Sequence, residues 1–218
     1  MKTLLKVFLI MFLPVFFAVL NVSAEENVVF SDNFAEMEDL ASAGWKLQDD
    51  IGPTKFELTK DNGLKITHCT VPYRGDKIAK VIPAAKKGYL EFEAKIGNAN
   101  NQHLSLQVYF LGQLTSFNGY GVKRINWNRY QGKPDQKHYD IMNNIDPDKW
   151  HKFRIFFDAD EKIFEFFVDN MDDPVDVHTN VPFDTNNKEH LSVVIGDYAL
   201  CSGEVINYVK SVKFVEVK

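Results

Sequence analysis

Residues 150–170 carry the strongest structural signal in the chain and read WHKFRIFFDADEKIFEFFVDN. Two apolar, aromatic runs at 153–157 and 163–168 flank a polar connector at 158–162. A connector of five residues between two such runs predicts a β-hairpin. Every second residue of each run is apolar, and alternate residues of a strand share one face. We therefore expect both strands to turn an apolar face towards a common core.

The other face of this hairpin is mixed in character. It carries Arg154, Phe156, Glu165 and Phe167, so charged and aromatic residues alternate along it. A strand face in contact with water is usually more uniformly polar. The pattern therefore predicts a hairpin at the centre of a sheet, covered on both faces.

The same alternation continues on both sides of the hairpin. Residues 89–96 and 104–111 alternate apolar and polar, and Asn62-Gly63 marks a tight turn between two short strands. A short helical turn fits residues 35–42. Many short strands with almost no helical periodicity predict an all-β protein made of two stacked antiparallel sheets. The predicted strands lie at 28–30, 44–47, 56–58, 63–67, 78–82, 89–96, 104–111, 119–130, 137–141, 153–157, 163–168, 191–196 and 205–217.

The N-terminus predicts export. Lys2 and Lys6 precede an apolar segment at 7–20, and Val22-Ser23-Ala24 places small residues at positions −3 and −1 of a cleavage site. This order is typical of a secretory signal peptide, here residues 1–24. The alternative is a retained membrane anchor, although the segment is short for a span of roughly 20 residues. We expect a secreted protein, extracellular or periplasmic, with one domain at 25–218 and no membrane insertion of the mature chain.

The net charge of the chain limits the classes of molecule that it can bind. Without its first 24 residues the chain keeps 23 basic and 30 acidic residues, so the expected mature domain is acidic. Nucleic acids and anionic membranes are recognised by basic surfaces. The composition therefore argues against both as partners.

The two cysteines are Cys69 and Cys201. In an oxidising compartment two cysteines most simply form one disulfide, which would join an early strand to a segment near the end of the chain. Two separate buried thiols are the alternative. Neither cysteine has the close partners that a zinc site needs.

Several segments together resemble the concanavalin A-like lectin/glucanase superfamily. They are FSDNF at 30–34 with Gly44-Trp45, NGLKI at 62–66, GYLEFEAKI at 88–96, WHKFRIFFD at 150–158 with FFVDN at 166–170, and VINYVKSVKF at 205–214. The resemblance covers nearly all of the mature chain and implies a jelly-roll sandwich. The superfamily includes sugar-binding lectins, laminarinase-type glycosidases, polysaccharide lyases and non-catalytic modules, and the fold does not choose among them.

The resemblance also implies a metal site. Related sandwiches clamp a structural calcium ion between terminal strands, and Asp32 and Asp197 offer the hard carboxylate oxygens that calcium prefers. Against this, Lys210-Ser211 stands where relatives often have Asp-Asn. The six histidines show no metal-ligand spacing.

Catalytic signatures are weak. A retaining glycosidase needs two carboxylates about 5–5.5 Å apart, and an E-x-D-x-E-like strand places them economically. Glu91-Phe92-Glu93 lacks the third carboxylate, because Lys95 stands in its place, and the acidic residues at 158–161 fall in the hairpin connector. We interpret both as surface charge. The Gln-x-His and Tyr-x-Lys-x-Gly-x-Tyr strands of the lyases are not found.

The segment at 117–139 reads FNGYGVKRINWNRYQGKPDQKHY and differs most from an ordinary core strand. It interleaves aromatic rings with planar hydrogen-bonding groups, which suit the apolar face and the hydroxyl rim of a sugar. An ordinary sandwich strand with a core tryptophan is the alternative. Together with one face of the preceding strand, this segment predicts the ligand-binding residues Gln107, Tyr109, Arg124, Trp127, Arg129, Tyr130, His138 and Tyr139.

Three functions fit these observations. The first is a secreted, non-catalytic carbohydrate-binding jelly roll that recognises a polysaccharide or glycan through an aromatic and arginine-lined sheet face. The second is a glycoside hydrolase or polysaccharide lyase of the same fold. The third is a structural or interaction module of the cell envelope without a small-ligand site.

Overall fold

The computed structural model describes residues 25–48, 54–68, 76–97, 105–111, 113–118, 124–129, 138–142, 145–146, 149–181, 191–197 and 205–218. Within these ranges the chain forms strands and turns and no helix, and residues 35–42 form turns instead of the expected helical one. The strands are β1 (Glu26–Asn33), β2 (Lys46–Gln48), β3 (Lys55–Thr59), β4 (Gly63–His68), β5 (Lys77–Val81), β6 (Lys87–Lys95), β7 (Ser105–Phe110), β8 (Gln113–Asn118), β9 (Arg124–Arg129), β10 (His138–Met142), β11 (Trp150–Asp158), β12 (Ile163–Val168), β13 (Asp176–His178), β14 (Ser192–Asp197) and β15 (Val205–Val217).

The strands form two antiparallel sheets. One has eight strands in the order β13-β12-β11-β6-β15-β4-β3, with β1 beside the second half of β15. The other has seven strands in the order β10-β9-β8-β7-β14-β5-β2. Two stacked antiparallel sheets confirm the predicted all-β sandwich.

The predicted hairpin is β11 and β12. Asp158 lies opposite Ile163, and the ladder continues to Phe153 opposite Val168. Both strands of the hairpin are interior strands of the sheet, as predicted, although only the three residues of β13 lie beyond β12. The two aromatic residues on the outer face of the hairpin are largely shielded from water. Phe167 is buried, and Phe156 is half-buried with its ring centroid 5.8 Å from the ammonium of Lys87.

The core lies between the two sheets and consists of their inward-facing rows. On β6 the residues Leu90, Phe92 and Ala94 are buried, and on β7 the residues Leu106, Val108 and Phe110 are buried, as the alternation predicted. Burial of a large apolar side chain stabilises the fold by about 1.5–3 kcal/mol. Aromatic rings connect the sheets: Phe110 of the seven-stranded sheet meets Phe157 and Phe214 of the other sheet at centroid distances of 5.2 and 5.5 Å.

The strand β8 was not predicted. It follows β7 after two residues, Leu111 and Gly112, and pairs with β7 along its whole length. Leu111 adopts φ 49°, the left-handed region that two-residue hairpin turns use. The predicted strand at 104–111 extended through Leu111, but the turn begins at this residue and buries it completely in the core.

Candidate functional site

The outer face of the seven-stranded sheet is defined by the positions that alternate with its core residues. Leu106, Val108 and Phe110 are buried in the core, so positions 105, 107 and 109 of β7 belong to the opposite, outer side. Strand pairing extends this assignment to the neighbouring strands, because directly opposed residues share a face. We call the resulting lines of positions the outer rows.

Two outer rows cross all seven strands. The first is Asp140–Asn126–Ser116–Gln107–Gly196–Lys77–Gln48. The second is His138–Asn128–Leu114–Tyr109–Val194–Ala79–Lys46. A third, shorter row contains Arg124, Asn118 and Ser105.

The outer rows bring four of the predicted ligand-binding positions together. Gln107 and Tyr109 on β7, Arg124 on β9 and His138 on β10 all belong to them. Neighbouring strands lie about 4.8 Å apart, so β7 to β10 span about 14 Å.

Three other predicted positions fall in the rows that continue the core. Trp127 lies opposite Thr115, which lies opposite the buried Val108, and Tyr139 lies opposite Trp127. Arg129 lies opposite Gln113, which lies opposite Phe110. Tyr130 lies outside the described residues.

The outer rows also contain positions that the sequence analysis did not select. Ser116 and Asn118 lie on β8, the strand that was missed, and Asp140 lies two residues from His138. The run QLTSFN at 113–118 does not alternate, since Leu114 and Phe117 fall on opposite faces, and the Leu-Gly turn before it lacks the Asn or Asp of a typical two-residue hairpin. Asn126 and Asn128 share the face of Arg124.

Most of the polar residues at the outer positions of β7 to β10 carry neutral amide or hydroxyl groups. Amide groups both donate and accept, and hydroxyl groups do the same, so they match the hydroxyl groups of a sugar. On β7 to β10 the outer positions that the structure describes include one carboxylate, Asp140, and two basic residue types, Arg124 and His138. Strand pairing there does not supply the pair of carboxylates that the usual glycosidase mechanism requires.

The acidic pair Glu91 and Glu93 lies on the outer face of the other sheet. The Glu91 carboxylate accepts hydrogen bonds from Arg154 at 2.7 and 3.1 Å and pairs with Lys152 at 2.9 Å. Burial would raise the pKa of Glu91, but the hydrogen bonds and charges of Lys152 and Arg154 outweigh burial and lower it. Glu93 pairs with Lys210 at 3.3 Å. Both carboxylates are therefore neutralised by neighbouring strands, in agreement with a structural role.

We expect a Glu91→Gln variant to lose about 1 kcal/mol of stability at pH 7, because two cations lose their carboxylate. The pKa of Glu91 is lowered in the folded chain from the ordinary value of 4.5. The stabilisation is therefore complete above that value and is lost as the pH falls through the lower folded pKa. Urea denaturation over a series of pH values from 7 downwards should show a full difference between wild type and variant at pH 7 that shrinks as the pH falls below 4.5. A difference that stays constant throughout the acidic range would contradict this account.

Asp158, in the hairpin connector, also has a structural role. Its carboxylate accepts the N–H of Glu161 at 3.0 Å and pairs with Lys87 at 3.0 Å. Burial would raise the pKa of Asp158, but these two partners lower it below the usual value. Asp160 is exposed, in agreement with its interpretation as surface charge. Asp158, in contrast, is buried and stabilises the turn.

Asp32, the first predicted calcium ligand, already has two partners. Its Oδ2 atom accepts a hydrogen bond from Trp45 Nε1 at 2.8 Å and pairs with Lys80 Nζ at 2.6 Å. Lys80 lies opposite Val193, four residues before Asp197 on β14, which is about 13 Å along a strand. A calcium ion at Asp32 would have to displace the lysine. The described residues contain no group of three or more His, Cys, Asp or Glu side chains arranged to hold a metal ion.

Cys69 and Cys201 lie outside the described residues, and their disulfide stays a prediction. The strands next to them are paired neighbours. His68 at the end of β4 lies opposite Val205 at the start of β15.

Comparisons with known proteins identify the fold. No family model matches the sequence, and no curated protein matches it. Among solved structures, a sialidase matches 86% of this chain and 18% of its own length, with 15% identity and a TM-score of 0.64. The GlcNAcα1-4Gal-releasing endo-β-galactosidase from Clostridium perfringens matches 87% of this chain and 62% of its own length, with 10% identity and a TM-score of 0.62. The chain thus spans less than two thirds of either protein.

A Bacillus licheniformis β-glucanase matches over 85% of this chain and 96% of its own length, with 12% identity and a TM-score of 0.60. At such identities the likeness establishes the fold. The chain is a two-sheet antiparallel jelly-roll sandwich, which confirms the fold class predicted from the sequence. In the described part of the chain, none of the secondary structure is a helix with the length and apolar character to cross a membrane.

Proposed function

We propose that this chain is a secreted carbohydrate-binding jelly roll that holds a polysaccharide through the outer rows of its seven-stranded sheet without cleaving it. One observation carries the proposal. Strand pairing aligns Gln107, Ser116 and Asn126 in one row and places Asn128 and His138 in the next. A sheet face with this many amide and hydroxyl groups on adjacent strands offers repeated hydrogen bonds to a repeating sugar chain.

The fold neighbours support a glycan as the class of ligand. The endo-β-galactosidase and the β-glucanase bear the names of enzymes that act on glycans, and both share this sandwich. Fold alone does not transfer an activity. In this proposal the ligand class follows from the neighbours together with the polar outer rows.

The non-catalytic part of the proposal is supported by the shortage of carboxylates. Asp140 is the one carboxylate at the described outer positions of β7 to β10. Retaining and inverting glycosidases generally use two, one as acid and one as nucleophile or base. Asp140 alone can orient a sugar hydroxyl but cannot complete that mechanism.

An enzyme of the same fold is the second candidate. His138 and Asp140 lie two residues apart on β10, so they belong to the same face and offer a base beside an acid. A lyase or a hydrolase with an unusual mechanism would use such a pair. Product formation distinguishes this candidate from simple binding.

The test is a panel of polysaccharides that includes barley β-glucan, laminarin and galactan. We expect native gels that contain one of these polymers to retard the mature domain, with and without EDTA. The same polymers, incubated with the domain, should release no reducing ends and no unsaturated products. Product release would establish the enzyme, and an absence of both binding and products would favour the cell-envelope interaction module.

Export and the disulfide belong to the same proposal. Cleavage after Ala24 would leave Glu25 as the first residue, and an oxidising compartment would join Cys69 to Cys201. Intact-mass analysis of the exported protein tests both points. We expect a chain that begins at Glu25 and is two hydrogen atoms lighter than the dithiol form. A retained segment 1–24 would contradict the predicted cleavage, and free thiols would contradict the predicted disulfide.

A further inference from the structure

The outer face of the eight-stranded sheet carries a second group of aromatic and basic side chains. Trp150 on β11 and Tyr208 on β15 both lie opposite Lys95 on β6. The two rings are 6.5 Å apart between centroids, and each is partly exposed. We call these three residues the Trp150 patch.

The ammonium group of Lys95 lies close to both rings, 4.9 Å from the centroid of Tyr208 and 5.9 Å from that of Trp150. The ammonium of Lys210 lies 5.8 Å from the centroid of Trp150. Within the described part of the chain, Lys95 contacts these rings and no carboxylate. A cation held by rings alone keeps its charge available to an anion.

The remaining charges around the patch occur in pairs. Lys65 is opposite Tyr208 and pairs with Glu57 at 3.1 Å, and Lys210 pairs with Glu93 at 3.3 Å. Lys95 therefore gives this surface a local positive charge, although the chain as a whole carries a net charge of −5. The charge at this place is complementary to an anionic ligand.

Both aromatic side chains also have unused hydrogen-bonding groups. Among the residues that the structure describes, neither the indole N–H of Trp150 nor the hydroxyl of Tyr208 has a hydrogen-bond partner. Partly exposed aromatic rings with a polar group at the rim suit ligands that have an apolar face and a polar edge. A sugar ring combines these two properties.

We propose that the Trp150 patch binds an acidic sugar unit of a glycan. The apolar face of the sugar ring packs on Trp150 and Tyr208, and its carboxylate or sulfate group pairs with Lys95. This site lies on the opposite sheet from the outer rows and does not depend on them. Two binding faces on opposite sides of one sandwich would let the domain contact two glycan strands at once.

A purely structural role is the competing explanation, because cross-strand pairs of this kind also stabilise a sheet. Two mild variants separate the explanations. Lys95→Gln removes the charge and keeps an unbranched polar side chain, and Tyr208→Phe removes the hydroxyl and keeps the ring. Lys86→Gln is the matched control, since Lys86 is an exposed lysine nine residues away, about 30 Å along the extended chain.

The measurement is affinity electrophoresis of the mature domain in gels that contain dextran sulfate, polygalacturonate or uncharged dextran. We expect at least one of the two acidic polymers to retard the domain and dextran not to retard it. If dextran sulfate retards it more strongly, sulfate is the preferred group; if polygalacturonate does, carboxylate is. Lys95→Gln should weaken that binding about tenfold and Tyr208→Phe severalfold, while Lys86→Gln should bind as wild type. Thermal melts should show that all three variants remain folded.

Equal binding by Lys95→Gln and Lys86→Gln would overturn the proposal, because the affinity would then come from general charge. Failure of the wild type to bind either acidic polymer would overturn it as well. Neither result affects the outer rows, whose test uses uncharged polymers and substitutions on the other sheet.

Discussion

We expect Phe214→Ala to lower the free energy of unfolding by about 3–5 kcal/mol, the usual cost of removing a buried phenylalanine ring. Phe214 lies on β15 and is completely buried. Its ring meets Phe110 of the opposite sheet at 5.5 Å, Phe30 at 6.3 Å and Phe157 at 6.4 Å. The residue therefore joins both sheets, and a cavity at this position would be lined by rings from each.

Phe156→Ala is the matched control on the same sheet. Phe156 lies on the outer face of β11, half-buried beside Lys87. Because its ring keeps contact with water in the folded protein, we expect a loss of about 1 kcal/mol. Urea denaturation measures the free energy of unfolding of both variants. Equal losses would mean that the space between the sheets is not the core of the protein.

The second large effect concerns the contact between Asp32 and Lys80. Asp32 belongs to the eight-stranded sheet and Lys80 to the seven-stranded sheet, and both side chains are largely buried. The Lys80 ammonium also lies 4.5 Å from the ring centroid of Phe30. We expect Asp32→Ala to cost about 2–4 kcal/mol, since it leaves a buried cation without its carboxylate and the Trp45 indole without its acceptor.

A double variant tests this explanation. Lys80→Met removes the charge that Asp32→Ala leaves unpaired, so the double variant should be more stable than the sum of the two single losses predicts. Asp160→Ala is the control for an exposed pair, because Asp160 and Lys86 are both largely exposed, and it should cost less than about 1 kcal/mol. Additive losses at Asp32 and Lys80 in thermal or urea denaturation would show that the pair does not act as a unit.

The fold was predictable because its strands alternate. In the hairpin, in β6 and in β7, apolar residues recur at every second position, and one buried face is enough to produce this pattern. The missed strands lack such a signal. β13 has three residues, and β8 follows a Leu-Gly turn in which Leu111 takes a left-handed conformation that the identity of the residue does not suggest.

The candidate sites were less predictable because they depend on pairing between strands. Trp127 can be assigned to the row that continues the core only through its pairing with Thr115 and, through Thr115, with Val108 on the neighbouring strands. Aromatic character therefore selected Trp127, although its row continues the core. The Trp150 patch joins positions 95, 150 and 208, and no short segment of the sequence contains more than one of them.

The central claim is that the outer rows of the seven-stranded sheet hold a glycan. Gln107 and Gln113 provide the sharpest comparison, since they are the same residue type on adjacent strands and belong to opposite faces. The measurement is affinity electrophoresis of Gln107→Ala and Gln113→Ala in the uncharged polysaccharide that retards the wild type most. The account predicts about tenfold weaker binding for Gln107→Ala, as expected for the loss of a hydrogen bond worth about 1.4 kcal/mol, and unchanged binding for Gln113→Ala. Equal retardation of the two variants would contradict it.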